Sequence, residues 1–248
     1  MKQNEITFTN MPALPYAIEE AVNRLRINIS FLGNDVRKIM LISSEPNEGK
    51  SFVTMQLWYQ MAKMGIPSCL VDADLRNSVA VSKYGMTRTD GKQIIGTSQY
   101  LAGTDNLSDV LLHVTELPES SILPNNENIV NPSMLIEGKR FEQMLDELAT
   151  QYRYVFVDAP PLNLVSDGER IGNLCDGAVL CIRSGVTSKA VVKNSIRQLE
   201  RANCPLLGVV LNRVEGSKGG YYSKSYGKYY GSKYYGGKYY GSEYYGKH

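Results

Sequence analysis

The sequence is poor in histidine and cysteine and has no long apolar run. His113 and His248 are the only histidines in 248 residues, which argues against a histidine-based catalytic triad or metal cluster. The four cysteines occur singly among apolar residues: Cys69, Cys175, Cys181 and Cys204. Without a C-x-x-C pair, this pattern indicates buried, reduced thiols rather than disulfides or a zinc site. No apolar stretch reaches the roughly 18 residues that a membrane-spanning helix requires, so we expect none.

Net charge is small, but positive charge is concentrated at one end of the chain. Six lysines and one glutamate after residue 216 give the last 32 residues five net positive charges. Because the whole chain is +2, the preceding residues carry three net negative charges. This acidic balance argues against a nucleic-acid-binding surface there. The basic end could attract anionic lipid, nucleic acid or an acidic site on the protein itself.

Tyrosine is concentrated at the same end. Eleven of the 17 tyrosines lie after residue 220, and from Tyr229 onward Tyr-Tyr pairs recur every five residues. A period of five matches neither a helix nor a strand, and glycine and serine fill the spacers. This composition predicts a disordered segment over 217–248.

Apolar runs alternate with amphipathic stretches over the rest of the chain. Strands are predicted at 38–43, 67–74, 154–161, 176–185 and 206–214. Helices are predicted at 16–33, 51–65, 131–151 and 187–203, whereas 84–130 is ambiguous, with "SILPN" as a candidate short strand. Apolar strands between helices predict an α/β fold, with a mostly parallel sheet and helices on both faces. Ligands of such sheets bind at the carboxyl ends of the strands.

The segment "SSEPNEGKS", residues 43–51, lies between a predicted strand and a predicted helix, where a phosphate-binding loop belongs. Lys50 would reach the β- and γ-phosphates, and Ser51 would bind Mg²⁺. The match to G-x-x-x-x-G-K-[ST] is incomplete because Ser44 replaces the first glycine. Asn47 occupies another turn position, and asparagine tolerates positive φ better than most residues. The alternative is an ordinary turn rich in small residues.

Three aspartates lie at the ends of predicted strands. Asp72 and Asp74 end "CLVDAD", and Asp158 ends the apolar part of "VFVDAPP". Two carboxylates together can hold Mg²⁺, or one of them can act as a base. Asp158 would be the Walker B acid. Each feature alone would suit a solvated strand end, but together with the phosphate loop they indicate a nucleotide–Mg²⁺ site.

These motifs and their order resemble the bacterial tyrosine kinases of capsule and exopolysaccharide synthesis, in particular their stand-alone cytoplasmic type. The resemblance covers nearly the whole chain. It rests on P-x-E-G-K-S at 46–51, D-x-D-x-R at 72–76, D-x-P-P at 158–161, "YLAGTDNLSDVLL" at 100–112, "NPS" at 131–133, "LLGVVLNRVEG" at 206–216 and the tyrosine tail.

The resemblance implies a P-loop NTPase fold and an ATP- and Mg²⁺-dependent kinase that autophosphorylates its tail and regulates polysaccharide production and export. The catalytic residues would be Lys50, Asp72, Asp74 and Asp158. Nucleotide contacts would come from Glu48, Gly49, Lys50, Ser51, Phe52, Asn212 and Arg213, and metal ligands from Ser51, Asp72, Asp74 and Asp158. The phosphoacceptors would be Tyr221, Tyr222, Tyr226, Tyr229, Tyr230, Tyr234, Tyr235, Tyr239, Tyr240, Tyr244 and Tyr245.

The resemblance also implies partners: a membrane adaptor of the polysaccharide co-polymerase type, a phosphotyrosine phosphatase and further copies of the chain, but no nucleic acid. The protein would be cytoplasmic and recruited to the inner face of the membrane by its adaptor. The expected organisation is an N-terminal helical segment at 1–36 for adaptor or oligomer contacts, a kinase domain at 37–216 and the tail at 217–248.

The assembly motif of these kinases, E-x-x-R-x-x-R, is altered in this chain. Glu20 and Arg26 match its ends, but Asn23 occupies the middle position and an arginine is displaced to Arg24. On a helix this moves the charge by about 100° around the axis. Glu20, Arg24 and Arg26 are the predicted oligomer contacts, and the alternative is a helix that packs on the domain.

Two other functions are compatible with parts of the pattern. A ParA- or MinD-like ATPase switch shares the fold and the Walker motifs, but its loop carries a lysine where this chain has Glu45. A pseudokinase scaffold would explain Ser44, Asn47 and Asn23 as losses and the tail as an interaction segment.

Overall fold

The structure, a computed structural model, describes residues 4–103 and 105–214. The chain divides into two compact units, Met1–Arg213 and Val214–His248, and every element named below belongs to the first. The predicted tail and all of its candidate phosphoacceptors lie outside the described residues.

Nine strands form one sheet in the part of the chain that the structure describes. In chain order they are β1 (Glu5–Phe8), β2 (Lys38–Ser43), β3 (Ser68–Asp72), β4 (Met86–Arg88), β5 (Leu112–Val114), β6 (Leu117–Leu123), β7 (Tyr154–Asp158), β8 (Gly177–Arg183) and β9 (Leu206–Asn212). Their order across the sheet is β4-β1-β5-β6-β3-β7-β2-β8-β9.

The sheet is mostly parallel. All neighbours from β6 across to β9 run parallel, and so do β1 and β5. The pairs β5–β6 and β1–β4 are antiparallel. The predicted fold class, an α/β protein with a mostly parallel sheet, is therefore confirmed, and the antiparallel pairs lie toward one edge.

Helices cover both faces of the sheet. They are α1 (Tyr16–Ser30), α2 (Lys50–Lys63), α3 (Ala80–Tyr84), α4 (Thr97–Leu101), α5 (Leu107–Val110), α6 (Ser133–Glu137), α7 (Lys139–Gln151), α8 (Asp167–Asn173) and α9 (Lys189–Arg201). Among the described residues, none of these helices is both long and apolar enough to cross a membrane.

The two hydrophobic cores follow from the alternation of side chains along the strands. Leu41 of β2 belongs to the core that contains Ile29 of α1 and Trp58 of α2. The next residue, Ile42, belongs to the other core with Leu145 of α7. Because neighbouring strand residues point to opposite faces, a strand that is apolar throughout requires helices on both sides. This packing fixes the carboxyl ends of β2, β3 and β7 next to one another.

Several predicted elements differ in extent from the observed ones; the strand predicted at 154–161, for example, ends at Asp158. The strand predicted at 67–74 ends at Asp72, so Asp74 lies in the turn that follows β3. The helix predicted at 131–151 is divided into α6 and α7 at Gly138, whose extended ψ of 145° interrupts the helical backbone.

The structure also contains short strands and helices that the sequence patterns did not predict. The ambiguous region 84–130 holds β4, α4, α5, β5 and β6, and the first three residues of the candidate strand "SILPN" are the end of β6. The segment 1–36, predicted as helical, also supplies strand β1 to the sheet. Phe8 of β1 packs its ring edge against Trp58 with 6.2 Å between centroids, which explains why this short strand is held there.

Candidate active site

The segment between β2 and α2 forms a tight loop at the carboxyl edge of the sheet. Asn47 and Gly49 have positive φ values of 63° and 90°. Gly49 is the N-cap of α2, and no side chain caps the helix. The first backbone amides of a helix lack intrahelical partners and carry partial positive charge, so this end of α2 suits a phosphate group.

Asn212, at the end of β9, packs against this loop. Its Nδ2 donates a hydrogen bond to the backbone oxygen of Glu48 at 2.9 Å. A Cβ on Gly49 would overlap the same Nδ2, so the position requires glycine for space as well as for its positive φ. The structure thus gives Asn212 a contact with the loop, whereas its predicted contact with a nucleotide base stays a prediction.

Glu48 is buried and supports the loop from within. One carboxylate oxygen accepts a hydrogen bond from the Glu45 amide at 2.9 Å. The other accepts one from the Thr187 hydroxyl and a longer one, 3.4 Å, from the Arg183 amide. The loop is therefore anchored to the end of β8 and the segment that follows it.

Ser44, which replaces the usual first glycine, is fully buried and joined to α9. The hydroxyl of Ser195 donates to the Ser44 hydroxyl at 2.8 Å, and the Asn163 amide donates to the Ser44 carbonyl at 3.0 Å. Sequence reasoning did not identify Ser195. Its only signal is a polar residue one turn before the buried Leu199 on an amphipathic helix.

Lys50 lies at the centre of the carboxylates. Its Nζ is 3.1 Å from Asp158 Oδ1, 3.4 Å from Asp74 Oδ2 and 3.2 Å from Ser51 Oγ. Asp72 and Asp158 are partners in the β3–β7 register, which explains the proximity of acids 86 positions apart. Burial disfavours the charged lysine, but Asp158 and then Asp74 outweigh it, so the pKa of Lys50 is raised. The lysine therefore remains a cation.

Asp72 is buried, and its pKa is raised. Burial and the neighbouring charge of Asp158 raise its pKa to about 7, against a hydrogen bond from the Ser78 hydroxyl at 2.5 Å that favours the carboxylate. The Asp74 amide donates to its other oxygen at 3.2 Å.

Two further hydroxyls and one arginine organise the site, and none was assigned a role from the sequence. Thr54, one turn after Lys50, donates to Asp158 Oδ1 at 3.1 Å, and Ser78 donates to Asp72. In the sequence, Arg76 was noted only as the last residue of the D-x-D-x-R motif, without a role. Spacing along α2 could have indicated Thr54, whereas Ser78 depends on how the loop after β3 folds.

Arg76 connects three segments at this edge. Its Nε donates to the buried Asp167 at 2.7 Å, and its guanidinium also donates to the Ser133 hydroxyl at 3.1 Å and the Val130 carbonyl at 3.1 Å. Ser133 in turn donates to Asp167 at 2.8 Å. This cluster ties the loop after β3 to the starts of α6 and α8, and so fixes the turn that holds Asp74.

The remaining predicted residues lie on or next to α1, α2 and β9. The Lys83 ammonium is 5.8 Å from the centre of the Phe52 ring, so Phe52 is near α3. Arg213 follows β9 with a φ of 53°. Glu20 and Arg24 are exposed on α1, where the Arg26 Nε donates to Asn23 at 2.9 Å. The predicted roles of these residues are unchanged by the structure.

The oxygen groups at this edge fit Mg²⁺ together with a nucleotide. Within the described residues, no group of three or more His, Cys, Asp or Glu side chains is arranged to hold a metal by itself. Mg²⁺ at phosphoryl-transfer sites is held by one or two carboxylates, substrate phosphates and water rather than by a complete protein cage. The Ser51 hydroxyl and the adjacent aspartates supply such hard oxygen ligands, and the amides of α2 supply the phosphate cradle.

Comparison with known proteins gives relatives over most of the chain, although no protein-family model matches it. The chain is 32% identical over 203 residues to the tyrosine-protein kinase CpsD of Streptococcus agalactiae serotype III, covering 82% of this chain and 85% of that protein. It is 30% identical over 244 residues to the tyrosine-protein kinase YwqD of Bacillus subtilis, covering 94% and 93%.

Solved structures that are similar to this chain include a kinase domain as well. The kinase domain of VpsO superposes with a TM-score of 0.72 at 27% identity, covering 80% of this chain and 95% of that one. MinD from Pyrococcus horikoshii, complexed with Mg-ADP, superposes with a TM-score of 0.61 at 22% identity, which shows a shared fold alone. The fold and the loop before α2 define a P-loop NTPase-type α/β domain. More specifically, the relatives show that the chain belongs to the family of bacterial tyrosine-protein kinases.

Proposed function

We propose that this protein is an ATP- and Mg²⁺-dependent protein-tyrosine kinase that autophosphorylates its C-terminal tyrosine cluster. The observation that supports this most is the convergence of Lys50, Asp74 and Asp158 at the start of α2, in a chain with eleven tyrosines after residue 220. Phosphoryl transfer depends mainly on positioning and on the neutralisation of charge, and this cluster is built for both.

The loop and Lys50 bind the phosphates of the nucleotide. The amides at the start of α2 would donate to the phosphate oxygens, and the Lys50 cation would pair with those oxygens as well as with its aspartates. The metal would be held by Ser51, Asp72, Asp74 and Asp158, where it would neutralise charge that develops on the phosphate oxygens. Asn212 keeps the loop closed through Glu48.

Asp72, the last residue of β3, and Asp74, in the turn that follows, act on the acceptor. A tyrosine phenol has a pKa of about 10 and is a weak nucleophile near neutral pH, so a nearby carboxylate is useful. The phenolic oxygen attacks the γ-phosphorus, the bond from that phosphorus to ADP breaks, and the phenol proton passes to Asp72 or Asp74. Arg76 holds the turn that carries Asp74 through its ion pair with Asp167.

The kinase works with a membrane adaptor and regulates capsular or exopolysaccharide synthesis and export. The CpsD and YwqD relatives support the kinase activity on which this role depends, and helix α1, with its altered motif, would carry the contacts with the adaptor or with other copies. We place the protein in the cytoplasm, at the inner face of the membrane when its adaptor is bound. A phosphotyrosine phosphatase would reverse the modification.

The test is incubation of the full chain with Mg·ATP, followed by detection of phosphotyrosine. We expect phosphotyrosine in the natural protein and none in Lys50→Met. Lys63→Met is the matched control, since Lys63 is exposed at the opposite end of the same helix, and it should retain activity. Phosphotyrosine at the natural level in Lys50→Met would refute the assignment.

A second candidate is an ATPase switch without kinase activity, which the fold shared with MinD favours. It predicts steady release of inorganic phosphate without phosphotyrosine. A pseudokinase scaffold predicts no heat of binding when Mg·ATP is titrated into the protein. The same preparation therefore separates the three functions.

A further inference from the structure

Tyr84, at the end of α3, has a buried hydroxyl without a partner. The residue is 2% exposed, and its hydroxyl finds no hydrogen-bond partner among the described residues. Burying an unpaired hydroxyl costs free energy, whereas phenylalanine would fill the same space without that cost. An unpaired buried group in a folded protein therefore requires a reason.

Tyr84 is one of the residues that line a pocket next to the catalytic carboxylates. Asp72, Asp74 and Asp158 line this pocket together with Tyr84, and its apolar lining includes Met55 of α2 and Ile122 of β6. Apolar walls suit an aromatic ring, and the three carboxylates supply polar groups in the same pocket. The pocket therefore has the chemistry of a phenol site.

The pocket shares only one residue with the phosphate loop. Of the segment 43–51, only Ser51 is among the residues described as lining it, and Asn212 is not. In the sheet, β3 and β6 lie on one side of β7, whereas β2, β8 and β9, which hold the loop, lie on the other. A ligand in this pocket would thus approach the carboxylates from the side opposite the nucleotide loop.

The position of Tyr84 is well defined. Its backbone oxygen accepts a hydrogen bond from the Asn10 amide at 3.1 Å, and the Lys83 ammonium lies 5.3 Å from the centre of its ring. Burial and the charge of Asp158 raise its pKa to about 12, so the hydroxyl retains its proton and can donate. A fixed donor of this kind costs little to organise when a ligand binds.

We propose that Tyr84 is an acceptor-binding residue, whose hydroxyl donates a hydrogen bond to the phenolic oxygen of the tyrosine that enters this pocket. The proposal rests on the proposed kinase function and adds the acceptor site to it. Tyr84 itself is not phosphorylated, because its ring is fixed in the wall of the pocket. The occupant is a tyrosine side chain of this chain or of a second copy.

The test is Tyr84→Phe, which removes only the unpaired hydroxyl. In single-turnover experiments with saturating Mg·ATP, we expect phosphotyrosine formation to slow by about tenfold or more, the scale of losing one preorganised donor. The affinity for Mg·ATP, measured by calorimetric titration, should stay within twofold. The midpoint of thermal unfolding without nucleotide should stay the same or rise.

Tyr152→Phe is the matched control. Tyr152 is also buried, but its hydroxyl donates to Ser121 at 2.6 Å, away from the carboxylates. This change should lower the unfolding midpoint and leave the rate of phosphotyrosine formation unchanged, the reverse of the result for Tyr84→Phe.

Three results would overturn the proposal. They are an unchanged rate of phosphotyrosine formation in Tyr84→Phe, a loss of Mg·ATP affinity in that variant as large as its loss of rate, or phosphate on Tyr84 in the natural protein. These differ from a failure of the kinase function, in which the natural protein would form no phosphotyrosine at all.

Discussion

At the scale of single residues, the site depends on a buried lysine that is balanced by buried acids. Lys50 and its partners Asp74 and Asp158 have side chains that are 6%, 12% and 10% exposed. Replacing one member of such a group leaves an uncompensated charge in a region with little water. Lys50 therefore contributes to folding as well as to phosphate binding.

We expect Lys50→Met to lower the free energy of unfolding by about 3 kcal/mol, because Asp158 and Asp74 lose their cation. Lys38→Met is the control, since its ion pair with Asp146 lies nearer the surface, and it should cost less than about 1 kcal/mol. Urea denaturation without nucleotide measures both. Equal costs for the two variants would contradict the assignment of Lys50 as a buried charge.

The raised pKa of Asp72 leads to a prediction of how the free energy of unfolding depends on pH. Its pKa is about 7 in the folded protein and 3.8 in the reference state, so between these values the folded state binds more protons. Stability should therefore fall as pH rises from about 4 to about 7. Asp72→Asn removes this titration and should be more stable than the natural protein at pH 8, by about 1 kcal/mol or more, since one pKa unit corresponds to about 1.4 kcal/mol.

The measurement is urea denaturation from pH 5 to pH 8 in the presence of a chelator and without nucleotide. Asp146→Asn, which changes an exposed carboxylate, is the control and should follow the natural protein. If the free energy of unfolding of Asp72→Asn changed with pH in parallel with that of the natural protein, the assignment of the pH dependence to Asp72 would be wrong.

The sequence indicated some of these residues and not others. Lys50, Asp72, Asp74 and Asp158 could be predicted as a group because strand ends and a glycine–lysine loop have recognisable patterns. The bond between Ser195 and Ser44 joins residues 151 positions apart and depends on how α9 packs, which no local pattern contains. Tyr84 could not be predicted, since only the folded structure shows that its hydroxyl is unpaired.

At the scale of elements, the loop between β2 and α2 depends on its contact with β9. Gly49 requires a positive φ and also leaves room for Asn212. These two requirements can be separated by experiment, because removing the Asn212 side chain relieves the contact and leaves the backbone geometry unchanged.

We expect Gly49→Ala to lower the free energy of unfolding by about 2 kcal/mol and to weaken Mg·ATP binding, through backbone strain and the contact with Asn212. Adding Asn212→Ala should recover part of the loss in unfolding free energy. The double-mutant cycle is measured by urea denaturation. Additivity within about 0.3 kcal/mol would show that the contact with Asn212 does not contribute.

Long elements were predicted better than short ones. Helix α2 and strand β2 have clear apolar patterns, and the structure places them close to the predicted ranges. Strands β1, β4 and β5 have three or four residues each, too few for a pattern, and they are held by pairing with distant segments. Gly138 divides a region that appeared as one helix, because a single glycine is compatible with a helix in sequence.

At the scale of the whole molecule, the parallel sheet with helices on both faces could be predicted from the alternation of elements. The order of the strands could not, because similar apolar strands have no local signal for their neighbours. The charge distribution was also evident from the sequence, and it leads to a prediction about assembly.

The tail has five net positive charges, and each phosphotyrosine adds about −1.5 to −2, so about three phosphates neutralise it. We expect attraction between the tail and acidic sites to weaken with the first phosphates and to become repulsion beyond them. Self-association, measured by native mass spectrometry at low salt, should decrease as the phosphate count rises. The same oligomeric state at every phosphate count would contradict this expectation.

The most direct test of the proposed function is a phosphopeptide map of the full chain after incubation with Mg·ATP. The account predicts that phosphate is incorporated mainly on tyrosines between Tyr221 and Tyr245, in several stoichiometries, and that Lys50→Met incorporates none. A map in which phosphate is absent from these tyrosines, or is equally present in Lys50→Met, would contradict it.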